Sequence, residues 1–230
     1  VSIREHFGES AVSAEPFTLA PPAAAAARPR PRRRLYPAMK RLLDLAIALP
    51  LLVATAPLLL AIAAWIRIDS SGPVLFRQQR LGQGGHPFGI LKFRTMNVVE
   101  DGERVVQAVR NDARITRAGR FLRAASLDEL PQLFNVIKGE MSLVGPRPHA
   151  TAHDALYAGL IPEYNRRQTV KPGVTGWAQV KGYRGGTPTL DLMQKRVAHD
   201  LWYARKNSIL LDLMILLRTP FALLFNRNAY

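Results

Sequence analysis

Two neighbouring carboxylates, Asp128 and Glu129, stand inside the run SLDELPQLFNVIKGEMSLVGPRP (Ser126–Pro148), which closes on Arg147 held between two prolines. An acid pair with a cation close behind it suits two chemistries: attack by one carboxylate on phosphorus, or capture of a divalent cation together with a substrate phosphate. A plainer role fits the same residues. Ser126 followed three positions later by Glu129 is a capping-box pattern, which would make both acids ordinary first-turn residues. Leu127, Leu130, Phe134 and Ile137 recur at helical spacing with Leu133 beside them, so the run predicts an amphipathic helix with this stripe buried. The acids then sit at its N-terminus, where unpaired N–H groups and the helix dipole favour negative charge.

Cations that could serve such a pair occur upstream. Val74-Leu75-Phe76 and Phe88–Phe93 are short β-prone runs around LGQGGH, predicting two strands joined by a glycine-rich turn. Lys92 and Arg94 leave the second run at alternating positions; on one strand face they could clamp a diphosphate or simply be solvated. Ile115–Ala125 predicts a basic amphipathic helix, with Ile115, Phe121 and Leu122 inward and Arg117, Arg120 and Arg123 outward on lipid headgroups. Arg123, three residues before Ser126, is also within reach of the acids. The turn glycines match neither a phosphate-binding GK[ST] loop nor a dinucleotide GxGxxG. His149, His153 and His199 have no metal-ligand spacing with carboxylates and read as surface or core residues.

These groups need an anchor, and the chain supplies one. The 22 residues Leu45–Ile66 carry no charge, long enough as a helix to reach about 33 Å against a hydrocarbon core of about 30 Å. Pro50 and Pro57 interrupt it, and both flanks are basic, with Lys40 and Arg41 before and Arg67, Arg77 and Arg80 after. The missing charge bias predicts a kinked helix over residues 38–72 that enters one leaflet and returns; a plain bitopic span is the alternative. Asp44 at its entrance is placed to pair with Lys40 or Arg41. Residues 1–37 read as a disordered Pro-, Ala- and Arg-rich tail, whose basic end suits an anionic leaflet or nucleic acid. Glu100–Arg114 is charged and reads as partly helical or mobile. Ile209–Phe225 is apolar but holds Asp212, Arg218 and Pro220, so an interfacial helix is expected, with Trp202 and Tyr203 at the membrane interface.

Composition agrees with an anionic partner. The 230 residues carry a formal charge of +15 and a pI near 11.0, with 48% hydrophobic residues for a core. There is no cysteine, which excludes disulfides, thiolate metal sites and cysteine nucleophiles.

Three stretches in order, LKFRTM (Leu91–Met96), Ser126–Pro148 and KPGVTGWAQVKGYRGGT (Lys171–Thr187), all after a proline-broken apolar helix, closely resemble the bacterial sugar transferases of the monotopic polyprenyl-phosphate phosphoglycosyl transferase family. The resemblance runs from about Met39 to the C-terminus. It implies a mixed α/β, helix-dominated fold: a re-entrant membrane helix, interfacial amphipathic helices and a small β-hairpin or sheet, with residues 73–230 as a membrane-associated catalytic domain. It also implies transfer of a sugar 1-phosphate from a UDP-sugar to undecaprenyl phosphate at the cytoplasmic face of the bacterial inner membrane, with release of UMP. By the same resemblance Asp128 is the nucleophile and Glu129 helps it hold Mg²⁺. Lys92, Arg123, Arg147 and Arg184 hold phosphates, Asp200 supports the site, and Ala56-Pro57 is the membrane-helix break; Arg94, by its place two residues after Lys92, and Gln179, in the Trp177 loop, join these as a candidate phosphate ligand and a candidate supporting residue. Relatives often have Ser-Pro at that break, so Thr55 is expected to replace the serine, or Pro57 to suffice alone. Gln179 and Trp177 suit core, turn or substrate contact equally. YRGGT resembles exopolysaccharide-initiating members that use glucose or galactose 1-phosphate. Membrane lipids are expected partners, nucleic acid is not, and a homodimer is left open. The alternative function is a non-catalytic basic membrane adaptor that recruits nucleic acid or a partner protein.

Overall fold

The computed structural model describes residues 35–97 and 112–225. The basic part of the tail and most of Glu100–Arg114 lie outside them. The first helix among the described residues, α1, begins at Tyr36.

Helix α1 (Tyr36–Asp69) runs 34 residues through both Pro50 and Pro57, about 51 Å if straight. Its mean hydropathy reaches 2.5, and among the described residues it is the one helix long and apolar enough to cross a bilayer. Its middle faces outward, with Val53 74% and Leu60 72% exposed. Its two ends dock on the same body. Near the start Ala48 packs with Leu133, Val136, Leu143 and Ile215; near the end Ile62 and Ile66 pack with Phe93 and Leu122.

Polar contacts pin each end. Lys40 Nζ lies 2.9 Å from Asp212, which also accepts from Tyr36 and Tyr203. Asp44 accepts from Ser142 Oγ (2.9 Å) and the Leu143 N–H (3.0 Å), while Arg41 donates to the carbonyls of Val136 and Ile137. The expected pairing of Asp44 with Lys40 or Arg41 is therefore replaced by tertiary contacts. The carboxylate serves an N–H the chain would otherwise bury unpaired, and the cation serves the carbonyl end of a helix. At the far end Asp69 accepts the Ala118 N–H at 3.0 Å. The Thr55 hydroxyl donates to Leu51 O at 2.7 Å. A proline frees the carbonyl four residues back, which for Pro57 is that of Val53, so Thr55 does not fill the expected role.

Strands β1 (Leu75–Leu81) and β2 (Pro87–Phe93) form the expected hairpin, antiparallel from Leu75↔Phe93 to Leu81↔Pro87. Helix α2 (Arg117–Ala125) is capped by Thr116, whose hydroxyl accepts the Gly119 N–H at 2.9 Å. Gly119 sits against the backbone of Thr95; a Cβ there would lie 2.1 Å from Thr95 O. The buried face of α2 is Ala118, Gly119 and Leu122. Phe121, expected inward, is 56% exposed and leans on Trp65 at 5.6 Å between ring centroids, because the inward face needs small residues for that approach.

Helix α3 (Gln132–Lys138) starts after Pro131 and buries Leu133 and Val136, leaving Phe134 41% exposed. The expected stripe of Leu127, Leu130, Phe134 and Ile137 assumed one helix from Ser126 onward. Pro131 begins a new one, so the helical phase is not carried through. Strand β3 (Ser142–Val144) pairs in parallel with β4 (Gly173–Thr175), a second small sheet. There Gly145 and Gly173 touch backbone to backbone, and a Cβ on Gly173 would lie 2.0 Å from Gly145 N. Helices α4 (Thr151–Leu160), α5 (Trp177–Val180), α6 (Leu190–Lys206) and α7 (Ile209–Phe225) complete the body. In α7 Leu211, Asp212 and Ile215 face inward while Leu210, Leu217 and Phe221 face outward, as an interfacial helix requires. Trp202 is 42% exposed and stacked on Trp177; Tyr203, expected at the interface, is buried instead, with its hydroxyl on Asp212.

The Lys40–Asp212 pair is buried, whereas Arg166–Glu163 is exposed. Asp212→Ala strands a buried ammonium and is expected to lower stability by about 3–5 kcal/mol, against less than about 1 kcal/mol for Glu163→Ala. Thermal unfolding in detergent micelles checks the contrast.

Candidate active site

The acids do not sit on the first turn of α3. Helix α2 ends at Ala125, and Ser126 turns the chain in the left-handed region (φ 58°, ψ 21°). Leu127–Glu129 then forms a separate 3₁₀ turn before Pro131 opens α3. The pair thus occupies a corner between two helices. The capping-box role falls with this geometry: Ser126 makes no side-chain cap bond, and its hydroxyl accepts instead from Arg184 Nη2 at 2.6 Å.

Glu129 is held from two sides. Lys92, at the end of β2, places Nζ 3.0 Å from Oε1; Arg147 grips both carboxylate oxygens in a fork, with Nη1 3.0 Å from Oε2 and Nη2 on Oε1. Such bidentate, charge-assisted contacts are the strong ones. Burial alone would raise the Glu129 pKa, but Arg147 and Lys92 override it and hold the carboxyl well below its usual range. Burial lowers the Lys92 pKa while Glu129 opposes the shift, and it lowers that of Arg184 likewise.

Asp128 differs from its neighbour. Among the described residues no hydrogen bond or ion pair reaches its carboxylate. Burial, then the charge on Glu129, push its pKa up to about 6; Lys92, Arg123 and Arg147 act in the opposite direction. Lys92, Arg123, Arg147 and Arg184 thus surround two carboxylates, an excess of two positive charges. That excess matches the charge of a diphosphate ester.

Arg94 is not brought to this corner. It follows the last residue of β2, and its guanidinium donates to Ser70 O (2.8 Å) and Ser71 O just past the end of α1. Alternation in a strand would have kept it beside Lys92, but the strand has ended and the carbonyls at the helix terminus take the cation. Asp200 lies behind the site, 2.8 Å from Arg167 Nη2, and the same nitrogen donates to Arg147 O at 2.5 Å. It therefore reaches the acid pair through Arg167 and the Arg147 backbone. Gln179 donates to Val174 O at 3.2 Å and is part of the turn around α5. Ala56 and Pro57 lie in the outward-facing middle of α1.

Sequence reasoning missed Arg167 and Arg196. Both are buried, and Arg196 donates to Gly185 O, on the loop that carries Arg184; burial lowers its pKa to about 10. His149, expected at the surface or in the core, is buried in the same network: its Nδ1 lies 2.7 Å from Arg167 Nη1, and Tyr164 donates to Asp154 at 2.6 Å. Burial and the arginines around it hold its pKa well below the usual value, so the ring is neutral.

No group of three or more acids or histidines suited to a metal exists among the described residues. Both Glu129 oxygens are engaged by Arg147 and Lys92, so Asp128 is the carboxylate of the pair left open to a cation such as Mg²⁺, which needs few protein oxygens beside substrate phosphate and water.

Since the folded pKa of Asp128 lies above its ordinary 3.8, its protonated form favours folding; that contribution is complete below about pH 4 and lost as pH rises through 6. Asp128→Asn is expected to stabilise the protein at pH 7.5 by about 2 kcal/mol and to do so little at pH 4. Paired unfolding curves measure both.

Residues 35–226 match the bacterial sugar transferase family. The chain is 58% identical over 191 residues to the UDP-glucose:undecaprenyl-phosphate glucose-1-phosphate transferase of Caulobacter vibrioides, covering 83% of this chain and 72% of that protein. A protein of the same name from Klebsiella pneumoniae is 50% identical over 83% of this chain, which spans only 41% of its length. The exopolysaccharide production protein PSS of Rhizobium leguminosarum bv. phaseoli is 45% identical over 79% of this chain and 92% of that protein. With motifs, fold and site in agreement, the chain belongs to the bacterial sugar transferase family, the polyprenyl-phosphate phosphoglycosyl transferases its motifs resemble.

Proposed function

We propose that this protein transfers glucose 1-phosphate from UDP-glucose to undecaprenyl phosphate, releasing UMP, as the first membrane step in making an exopolysaccharide. The reading rests on one observation above the others: Asp128, a carboxylate without a partner among the described residues, beside one paired with two cations, Glu129, in a corner ringed by cations. An Asp128 oxygen attacks the phosphorus that bears the sugar, and the bond to the bridging oxygen breaks, so that oxygen leaves on UMP. The product on the enzyme is an acyl phosphate carrying the sugar. An oxygen of undecaprenyl phosphate then attacks the same phosphorus and breaks its bond to Asp128, which regenerates the carboxylate.

The cations act mainly on charge. Lys92, Arg123, Arg147 and Arg184 draw in the diphosphate and stabilise negative charge on the leaving phosphate, the larger part of catalysis in phosphoryl transfer. Mg²⁺, held by Asp128 together with the diphosphate, would supply Lewis-acid polarisation of the phosphoryl oxygens. Glu129 keeps its position through Arg147, whose backbone is held in turn by Arg167 and Asp200.

The setting suits a lipid acceptor. Both ends of α1 bind one body while its middle is exposed, which favours a helix that dips into one leaflet over one that crosses. The site then lies on the cytoplasmic face of the inner membrane, where UDP-sugars are made.

With UDP-glucose, undecaprenyl phosphate and Mg²⁺ in nanodiscs, the wild type is expected to release UMP and Asp128→Asn to release none. Without acceptor, donor labelled in the sugar should leave label on the wild-type protein; unlabelled protein, or full turnover by the variant, would overturn the mechanism. The rate should rise with pH through about 6 as Asp128 ionises, and flatten above it. Arg147→Ala is expected to lower kcat/KM at least about 100-fold, the scale for losing a transition-state charge contact. Arg94→Ala, per folded molecule, should stay within about threefold, since Arg94 binds the end of α1.

A further inference from the structure

A cavity of about 520 Å³ opens beside the C-terminal end of α1, away from the acid pair. Its walls include Trp65 and Ile68 from α1 and Arg117 and Arg120 from α2. The two arginines are exposed, Ile68 is 85% exposed, and Trp65 is buttressed by Phe121. Asp69 also lines the cavity, but its carboxylate already accepts the Ala118 N–H. One wall is thus apolar and aromatic and continuous with the outward face of the membrane helix, while the other is cationic.

We propose that this cavity binds the phosphodiester headgroup of an anionic membrane phospholipid. Its phosphate sits between Arg117 and Arg120, and its acyl chains run along Ile68 and Trp65 toward the middle of α1. Forked guanidinium groups suit a phosphate, and an aromatic pair at headgroup depth suits the glycerol region. The geometry separates this lipid from the acceptor. Arg123, one turn further along α2 and three residues before Ser126, acts on Asp128 through its charge. Arg117 lies six residues before it, about 9 Å back along the axis. A phosphate held at Arg117 and Arg120 is therefore offset from the reacting phosphorus. Its role is to fix how deep and at what tilt α2 lies in the headgroups, with the acid corner at the other end of that helix.

The site is tested by binding, so the result does not depend on the proposed chemistry. Protein purified in mild detergent is titrated with short-chain phosphatidylglycerol, and bound lipid is counted by native mass spectrometry. The wild type is expected to hold one phosphatidylglycerol per chain. The double variant R117Q/R120Q should bind about thirtyfold more weakly, the loss expected for two basic side chains at an anionic lipid. The variant K206Q/R218Q, which removes equal charge from exposed positions elsewhere, should bind as the wild type does. Equal weakening of both variants would reduce the effect to net charge and overturn the site, as would undiminished binding by R117Q/R120Q. Displacement of the phosphatidylglycerol by an equimolar short-chain isoprenoid monophosphate would assign the cavity to the acceptor and also overturn the proposal. Transfer activity lost in R117Q/R120Q while detergent-solubilised turnover is kept would support a role in seating the protein on the membrane.

Discussion

The carboxylate of Glu129 is the tie on which the site depends. It joins three parts of the chain that are far apart in sequence: Lys92 on the hairpin, Glu129 in the turn after α2, and Arg147 in the loop after β3. With its charge cancelled by two cations, Glu129 adds less repulsion to its neighbour than a bare acid would. Asp128 is left as a carboxylate that burial makes costly to ionise and that no hydrogen bond or ion pair from the described residues quenches. A group of that kind is a liability to stability and an asset to nucleophilic attack. The remaining architecture keeps the three parts in register: the close backbone contact of Gly145 with Gly173 sets the path into Arg147, and Arg167 fastens its carbonyl.

Much of this was legible in the sequence, for definite physical reasons. The hairpin follows from β-prone runs around a glycine-rich turn, and the long apolar helix α1 from an uncharged stretch of 22 residues. The acid pair, Lys92, Arg147 and Arg184 came from order and motif, and the structure brings them to one corner. The failures have a common origin, because local periodicity says nothing of tertiary partners. Phe121 and Phe134 look like core residues, yet both face outward because α2 needs small residues for its approach to Thr95 and Pro131 resets the phase of α3. Arg94 looks like a phosphate ligand until the carbonyls past the end of α1 claim it.

The buried arginines were invisible for a sharper reason. Arg166 and Arg167 are adjacent and chemically identical, yet one is exposed and pairs with Glu163 while the other is buried among His149, Tyr164 and Asp200. Nothing in the two letters separates them. Only the long-range placement of Asp200 and the Arg147 carbonyl does so, and that is a property of the assembled fold.

Asp44 and Asp69, the two acids of α1, each accept a main-chain N–H from a different element, Leu143 after the start of β3 and Ala118 at the start of α2. The 25 residues of separation between these clasps are therefore a fixed strut, unable to slide or lengthen without unpairing a buried amide. Any axial displacement of α1 is thereby passed to β3 and α2 together, so the acid corner between them moves with the helix as one piece.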